Sequence, residues 1–233
     1  MNNAPPEFRG KSPDQILTEK RNSIASWHVH QTRCWLDYCE REDNVNGLYY
    51  AALELRMAIE QLWYSYVITV THDTITRKKY VQYTRSHAKL RKFMEKVKPH
   101  YAKLARFSNL CLKQAKNPTR VIEWDISRLI GAHHELSGYL HFHGIAEETW
   151  ENDSWLAECK QLLHHTASYL WDELSTGATG AMREETMEPE VLAMWVKFRD
   201  GRLSDEDCLL GLEIAGPVFR RRKLFYTGPE PSV

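Results

Sequence analysis

The sequence predicts an all-α fold: an up-and-down bundle of about five long helices, followed by a short helical C-terminal appendix. Three observations predict it. Apolar residues recur at three- and four-residue spacing through nearly every segment. Ser-Pro-Asp and Asn-Pro signals mark helix starts. No set of alternating strands, internal repeat or heptad run is present.

The elements follow in order. Ser12 offers an N-cap, with Pro13 at the first helical position and Asp14 in the first turn. Ile16, Ile24, Trp27, Cys34, Trp35 and Tyr38 then continue one helical face to the charged break "EREDN". A second helix spans 48–70, "LYYAALELRMAIEQLWYSYVITV", and is apolar nearly all round. It is therefore expected at the centre, and its polar exceptions Glu54, Arg56 and Glu60 need partners. Residues 73–120 carry one or two helices, broken near Pro99. "NPTRVIEW" opens the next helix, with Asn117 as N-cap and Pro118 behind it, running to Gly144. A further helix covers 151–174. "STGATGA" at 175–181 is the clearest linker, so the chain divides into a bundle over 12–175 and an appendix over 182–233. "EPEVLAMWVKF" and "SDEDCLLGLEI" supply the appendix with two short helices.

Composition narrows the function classes. The 233 residues are 42% hydrophobic and 27% charged, as in ordinary globular proteins. The longest greasy run, "LWYSYVITV", is half the length of a membrane span. The N-terminal residues lack the basic and apolar regions of a secretory signal. Five cysteines with no C-x-x-C pair argue against a disulfide framework or thiolate zinc site, so a cytoplasmic protein with reduced thiols is expected. There is no P-loop, no dinucleotide fingerprint and no nucleophile elbow, and no cofactor is expected. The net charge of zero hides a polarity. Residues 73–120 hold 14 basic against 2 acidic side chains, and residues 121–177 hold 2 against 10.

"RLIGAHHELSGYLHFH", 128–143, concentrates four of the eleven histidines. On a helix, metal ligands need spacings such as H-x3-H or E-x-x-H, which this stretch lacks, so no metal site is expected from it alone. A helical wheel puts His133 in the apolar stripe with Leu129, Leu136 and Leu140, facing the core or a subunit interface. His134 and His141 share a flank. Arg128 points about 140° away from His133. A satisfied core histidine is the plain reading of His133.

Arg128 with His133 forms R-x4-H, and with His134 R-x5-H, on a late helix; Arg21 with His28 also falls within this spacing range. Upstream, "YYAALELRMAIEQLW" at 49–63 carries A-x-E after an aromatic and alanine-rich turn. In this order the two segments resemble the HEPN superfamily (higher eukaryotes and prokaryotes nucleotide-binding domains) over residues 15–175. Leu129 and Glu135 depart from the polar residue and tyrosine frequent in that family. The resemblance implies a metal-independent ribonuclease or a non-catalytic relative, in a defence or toxin–antitoxin setting. In the former, His133, or His134 as second choice, takes the proton from a ribose 2′-hydroxyl while Arg128 holds the phosphate charge. It also implies a homodimer that brings two such motifs together across a symmetric cleft.

RNA needs a surface for its backbone. Arg85, Lys89, Lys92 and Lys96 form one charged stripe, with Tyr80, Tyr83 and Tyr101 nearby for stacking. A lysine-rich helix also serves as a solvated face, or docks on the acidic segment 121–177 of its own bundle. "FRRRKLF" in the tail is a second basic patch or docking peptide. Three readings result: an RNA-binding or RNA-cleaving domain, a non-catalytic module with a protein partner, and a metal-binding bundle joining His134 or His141 to His164 or His165.

Overall fold

The computed structural model describes residues 4–12, 15, 24–71, 77–84, 86–140 and 153–214. These form eight α-helices: α1 (Ala25–Glu42), α2 (Gly47–Thr71), α3 (Arg77–Thr84), α4 (His87–Gln114), α5 (Ile126–Leu140), α6 (Asp153–Thr176), α7 (Pro189–Arg199) and α8 (Asp205–Ile214). Five of them are long, and no strand is present among the described residues. No described helix is long and apolar enough to cross a membrane.

The expected central helix is α2, which packs against α1, α4, α5 and α6. Its buried side, from Leu48 through Leu55, Ile59, Leu62, Trp63 and Val67, joins Leu90 and Met94 of α4 and Leu129 and Leu136 of α5. Leu163 and Leu170 of α6 close the same core. Not all of its apolar surface is covered, because Tyr50, Leu53 and Met57 form a stripe that stays exposed. A short turn returns the chain from α1 to α2. It starts at Asp43 in the left-handed region, whose N–H bonds the Cys39 carbonyl. Gly47 is required there, since a Cβ would lie 2.5 Å from Cys39 Sγ.

Three expected boundaries differ. Ser12 and Gln15 do exchange the reciprocal bonds of a capping box, 2.8 and 3.2 Å. However, Ile24 is extended (φ −100°, ψ 149°) and α1 starts afresh at Ala25; Ile16 lies outside the described residues. Pro99 does not break the basic segment. It is exposed inside α4, where solvent can satisfy the carbonyl it frees, and the break falls before His87 instead. The helix expected from Asn117 begins only at Ile126. Asn117 Oδ1 accepts the Thr119 N–H in a turn, and the backbone beyond is occupied by the other segment thought to be a linker. Ala178 N–H donates to the Arg120 carbonyl (2.7 Å) and Ile122 N–H to the Ala178 carbonyl (3.0 Å). Asp125 is the true cap, accepting the Arg128 N–H at 3.0 Å.

The "STGATGA" segment is thus held rather than loose. Its first two residues complete α6. At Gly177 a Cβ would sit 2.5 Å from Ile122 Cγ1 and 3.0 Å from the Arg120 carbonyl, so only glycine allows the approach. Beyond it, Met182, Val191, Trp195, Phe198, Cys208 and Leu212 close over Leu104, Phe107 and Cys111 of α4 in a second core. The Arg106–Asp205 pair at 2.8 Å borders that seam. Four cysteines are buried and Cys34 is exposed; burial pushes the Cys111 and Cys159 thiols up to about 12.

At the N-terminus, Phe8 is buried against Trp171, their rings stacked 5.8 Å apart, and against His30 at 5.3 Å. Burial among these rings holds the His30 pKa below 6.5, with Arg33 adding to the effect and Asp37 opposing it. Below about pH 6.5 the unfolded chain binds a proton that folded His30 resists, so this group lowers stability as pH falls, until its folded pKa is passed. A His30→Phe variant should lose less unfolding free energy than the parent between about pH 7 and pH 5 in urea titrations. Equal losses would contradict this assignment.

Candidate functional site

The charged exceptions on α2 all find partners. Glu54 Oε2 accepts from His28 Nδ1 of α1 at 2.7 Å. Arg56 Nε donates to Glu60 Oε1 one turn later, at 3.0 Å. His133 Nε2 of α5 donates to the same Glu60 oxygen, also at 3.0 Å. The three side chains expose 18% (Arg56), 16% (Glu60) and 7% (His133). Glu60 is therefore a two-donor hub at the α2–α5 seam, and the His133 ring packs on the fully buried Trp63, centroids 4.6 Å apart. With Nε2 carrying the proton to a carboxylate, the basic nitrogen of His133 is Nδ1.

Arg128 belongs to a different corner. It is exposed, its guanidinium lies 4.0 Å over the Tyr169 ring of α6, and Nη2 reaches the His165 carbonyl at 3.4 Å. The Tyr169 hydroxyl in turn accepts the Asp125 N–H at 3.3 Å. Within one chain, Arg128 and His133 thus share no partner: one is held by α6 at the surface, the other by α2 in the seam. His134 is exposed on α5. His141, like Gly144, lies outside the described residues. His164 pairs with Glu40 at 3.0 Å, and among the described residues no three His, Cys, Asp or Glu side chains are placed to hold a metal ion.

The basic stripe is the second candidate. Lys89, Lys92 and Lys96 are exposed on the first half of α4, and Arg85 lies outside the described residues. Leu90, Met94 and Val97, on the opposite side, are buried. No described carboxylate pairs with any of the three lysines, so none of them docks on the described parts of the acidic segment, 121–140 and 153–177. The cations that do reach that segment are elsewhere: Arg120 pairs with Glu173 at 2.6 Å, and Lys98 Nζ donates to Ser127 Oγ at 2.5 Å. Tyr101 is not a stacking surface. It is 1% exposed, its hydroxyl faces the Ile122 and Thr179 carbonyls at 3.4 Å, and its ring packs on Tyr66. Tyr83 does border the stripe, half-buried beside Phe93 with centroids 4.8 Å apart. The Tyr80 side chain lies outside the described residues.

No protein-family model, curated protein or solved structure matches the chain. Its function has to be argued from these groups.

Sequence reasoning missed several of them. The sequence asks for a partner to Glu60 and reads His133 as a satisfied core histidine, yet their pairing joins helices far apart in sequence. Tyr169 under Arg128 carries no spacing signal, and spacing puts Phe93 in the apolar stripe with Leu90, Met94 and Val97, whereas it is half-buried at the edge of the lysines. Removing Glu60 takes the acceptor from the buried His133 and the part-buried Arg56, so Glu60→Ala should cost about 3 kcal/mol in urea unfolding. Glu60→Gln, which keeps an acceptor oxygen, should cost less than half of that. Equal losses for the two would show that the site responds to volume, not to hydrogen bonding.

Proposed function

We propose that the protein is a HEPN-like helical domain that binds RNA through the lysine face of α4. The observation that carries this reading is a stripe of three exposed lysines that no carboxylate pairs with among the described residues, in a chain whose net charge is zero. These three leave their field directed outward, where a phosphate backbone would displace bound counterions. The Arg56–Glu60–His133 group is then structural, holding α5 against α2. The defence or toxin–antitoxin setting comes with the resemblance and adds no further support.

A second reading, RNA cleavage by a homodimer, is favoured by one feature. The Glu60 carboxylate fixes the His133 tautomer, as an orienting carboxylate does for a general base. Burial of the ring within its own subunit weighs against it, as does the turn of Arg128 away from His133 on the same helix, onto Tyr169 of α6. Cleavage therefore requires a second copy to bring an arginine to each histidine and to open access to the ring. A protein partner on the same lysine face is a third outcome, which acidic peptides test.

Mixed-sequence RNA should bind with an affinity that falls as salt rises. The Lys89→Ala/Lys92→Ala/Lys96→Ala variant should weaken binding at least about tenfold and lower the log–log salt slope by about 2. Unchanged binding in that variant contradicts the proposal. Incubation with RNA in EDTA decides between the readings: cleavage lost in both His133→Ala and Arg128→Ala variants that still fold supports the nuclease, and intact RNA together with salt-dependent binding supports the binding domain.

A further inference from the structure

We infer that the lysine face of α4 takes unpaired, single-stranded RNA, with a base stacked on the Tyr83–Phe93 ring pair while the lysines hold the flanking phosphates. This rests on the RNA-binding reading above and goes beyond it by naming the form of the strand.

The argument begins with the helical wheel. At 100° per residue, Lys89, Lys92 and Lys96 fall within about 60° of one another, and Phe93 lies about 40° beyond Lys89 on one side. Phe93 is neither core nor free surface. It is half-buried, packed against the main core on one side and against Tyr83 of α3 at 4.8 Å, with the planes inclined by 39°. A cationic stripe edged by an aromatic pair is the combination that single strands use, because their bases are turned outward and every base has a stacking face. The sole carboxylate of α4, Glu95, is exposed on the other flank, about 60° past Lys92. Repulsion there directs a polyanion toward the ring pair.

Size points the same way. From Lys89 to Lys96 the helix rises about 10 Å, which matches a few nucleotides of one strand. Modules that read duplex RNA track about 16 base pairs through two minor grooves. Moreover, a duplex hides its base faces in its own stack and would leave the Tyr83–Phe93 pair with nothing to bind.

The test uses the full chain, fluorescence anisotropy, and a labelled 12-nucleotide RNA offered alone or annealed to its complement. Phe93→Leu and Tyr83→Leu remove a ring and keep apolar volume, and thermal melts confirm that each variant folds. Single-stranded RNA should bind more tightly than the duplex. Each leucine variant should weaken single-strand binding about 5- to 100-fold without changing its salt slope, since the loss is of stacking and not of charge. Should one variant fail to fold, the other still decides. Equal or tighter duplex binding, or parental affinity in a folded leucine variant, overturns the inference. If binding depends on the lysines but not on the rings, only this inference falls. If no RNA form binds, the RNA-binding reading falls and takes this one with it.

Discussion

Three charged side chains on the most buried helix constrain everything else in this protein. Helix α2 must lie at the centre because its sequence is apolar nearly all round, yet Glu54, Arg56 and Glu60 interrupt it. A buried carboxylate without donors is far more costly than one with them. Each of these residues therefore dictates what a neighbouring helix presents. Glu54 draws His28 from α1, and Glu60 draws His133 from α5 while holding Arg56 on its own helix. Fixing His133 fixes the rotation of α5, which turns Leu129, Ala132 and Leu136 into the core and leaves Arg128 and His134 outside. Helix geometry sets the angle between arginine and histidine, and that hydrogen bond sets which of the two faces the core.

The same logic separates two kinds of charge in the molecule. Those near the α2 seam are internally matched and belong to folding. On the second half of α4, Arg106 is used by Asp205 and Lys103 by the Arg199 carbonyl, where α7 and α8 cover the helix. On the first half of α4, Lys89, Lys92 and Lys96 form a stripe with no carboxylate paired to it among the described residues. The RNA-binding proposal rests on that contrast along a single helix rather than on the total of 14 basic residues in 73–120.

Periodicity made α2, α6, α7 and α8 readable to within a few residues, because long apolar faces leave little freedom of assignment. His133 was read as inward-facing for the same reason. The errors share a physical cause: local signals lost to tertiary hydrogen bonds or to solvent. Asn117-Pro118 is a valid helix start, but the backbone after it bonds to the segment around Ala178, and Asp125 caps the helix instead. Pro99 is a valid helix breaker, yet on an exposed face its freed carbonyl costs little. Tyr101 stood among basic residues in sequence and lies in the core because the wheel places it with Leu90 and Met94. The partners of Arg128 and His133 were illegible, since nothing in a single sequence says which helix will pack against which.

The hydrogen bond from His133 to Glu60 is the central claim, and the nitrogen resonances of the imidazole test it most directly. In protein labelled with ¹⁵N at histidine, long-range ¹H–¹⁵N correlation spectra assign which ring nitrogen bears the proton. The account predicts a His133 ring protonated at Nε2, with that proton slow to exchange and its protection lost in Glu60→Ala. A ring protonated at Nδ1 alone, or an Nε2 proton that exchanges as fast as in an exposed histidine, would contradict it.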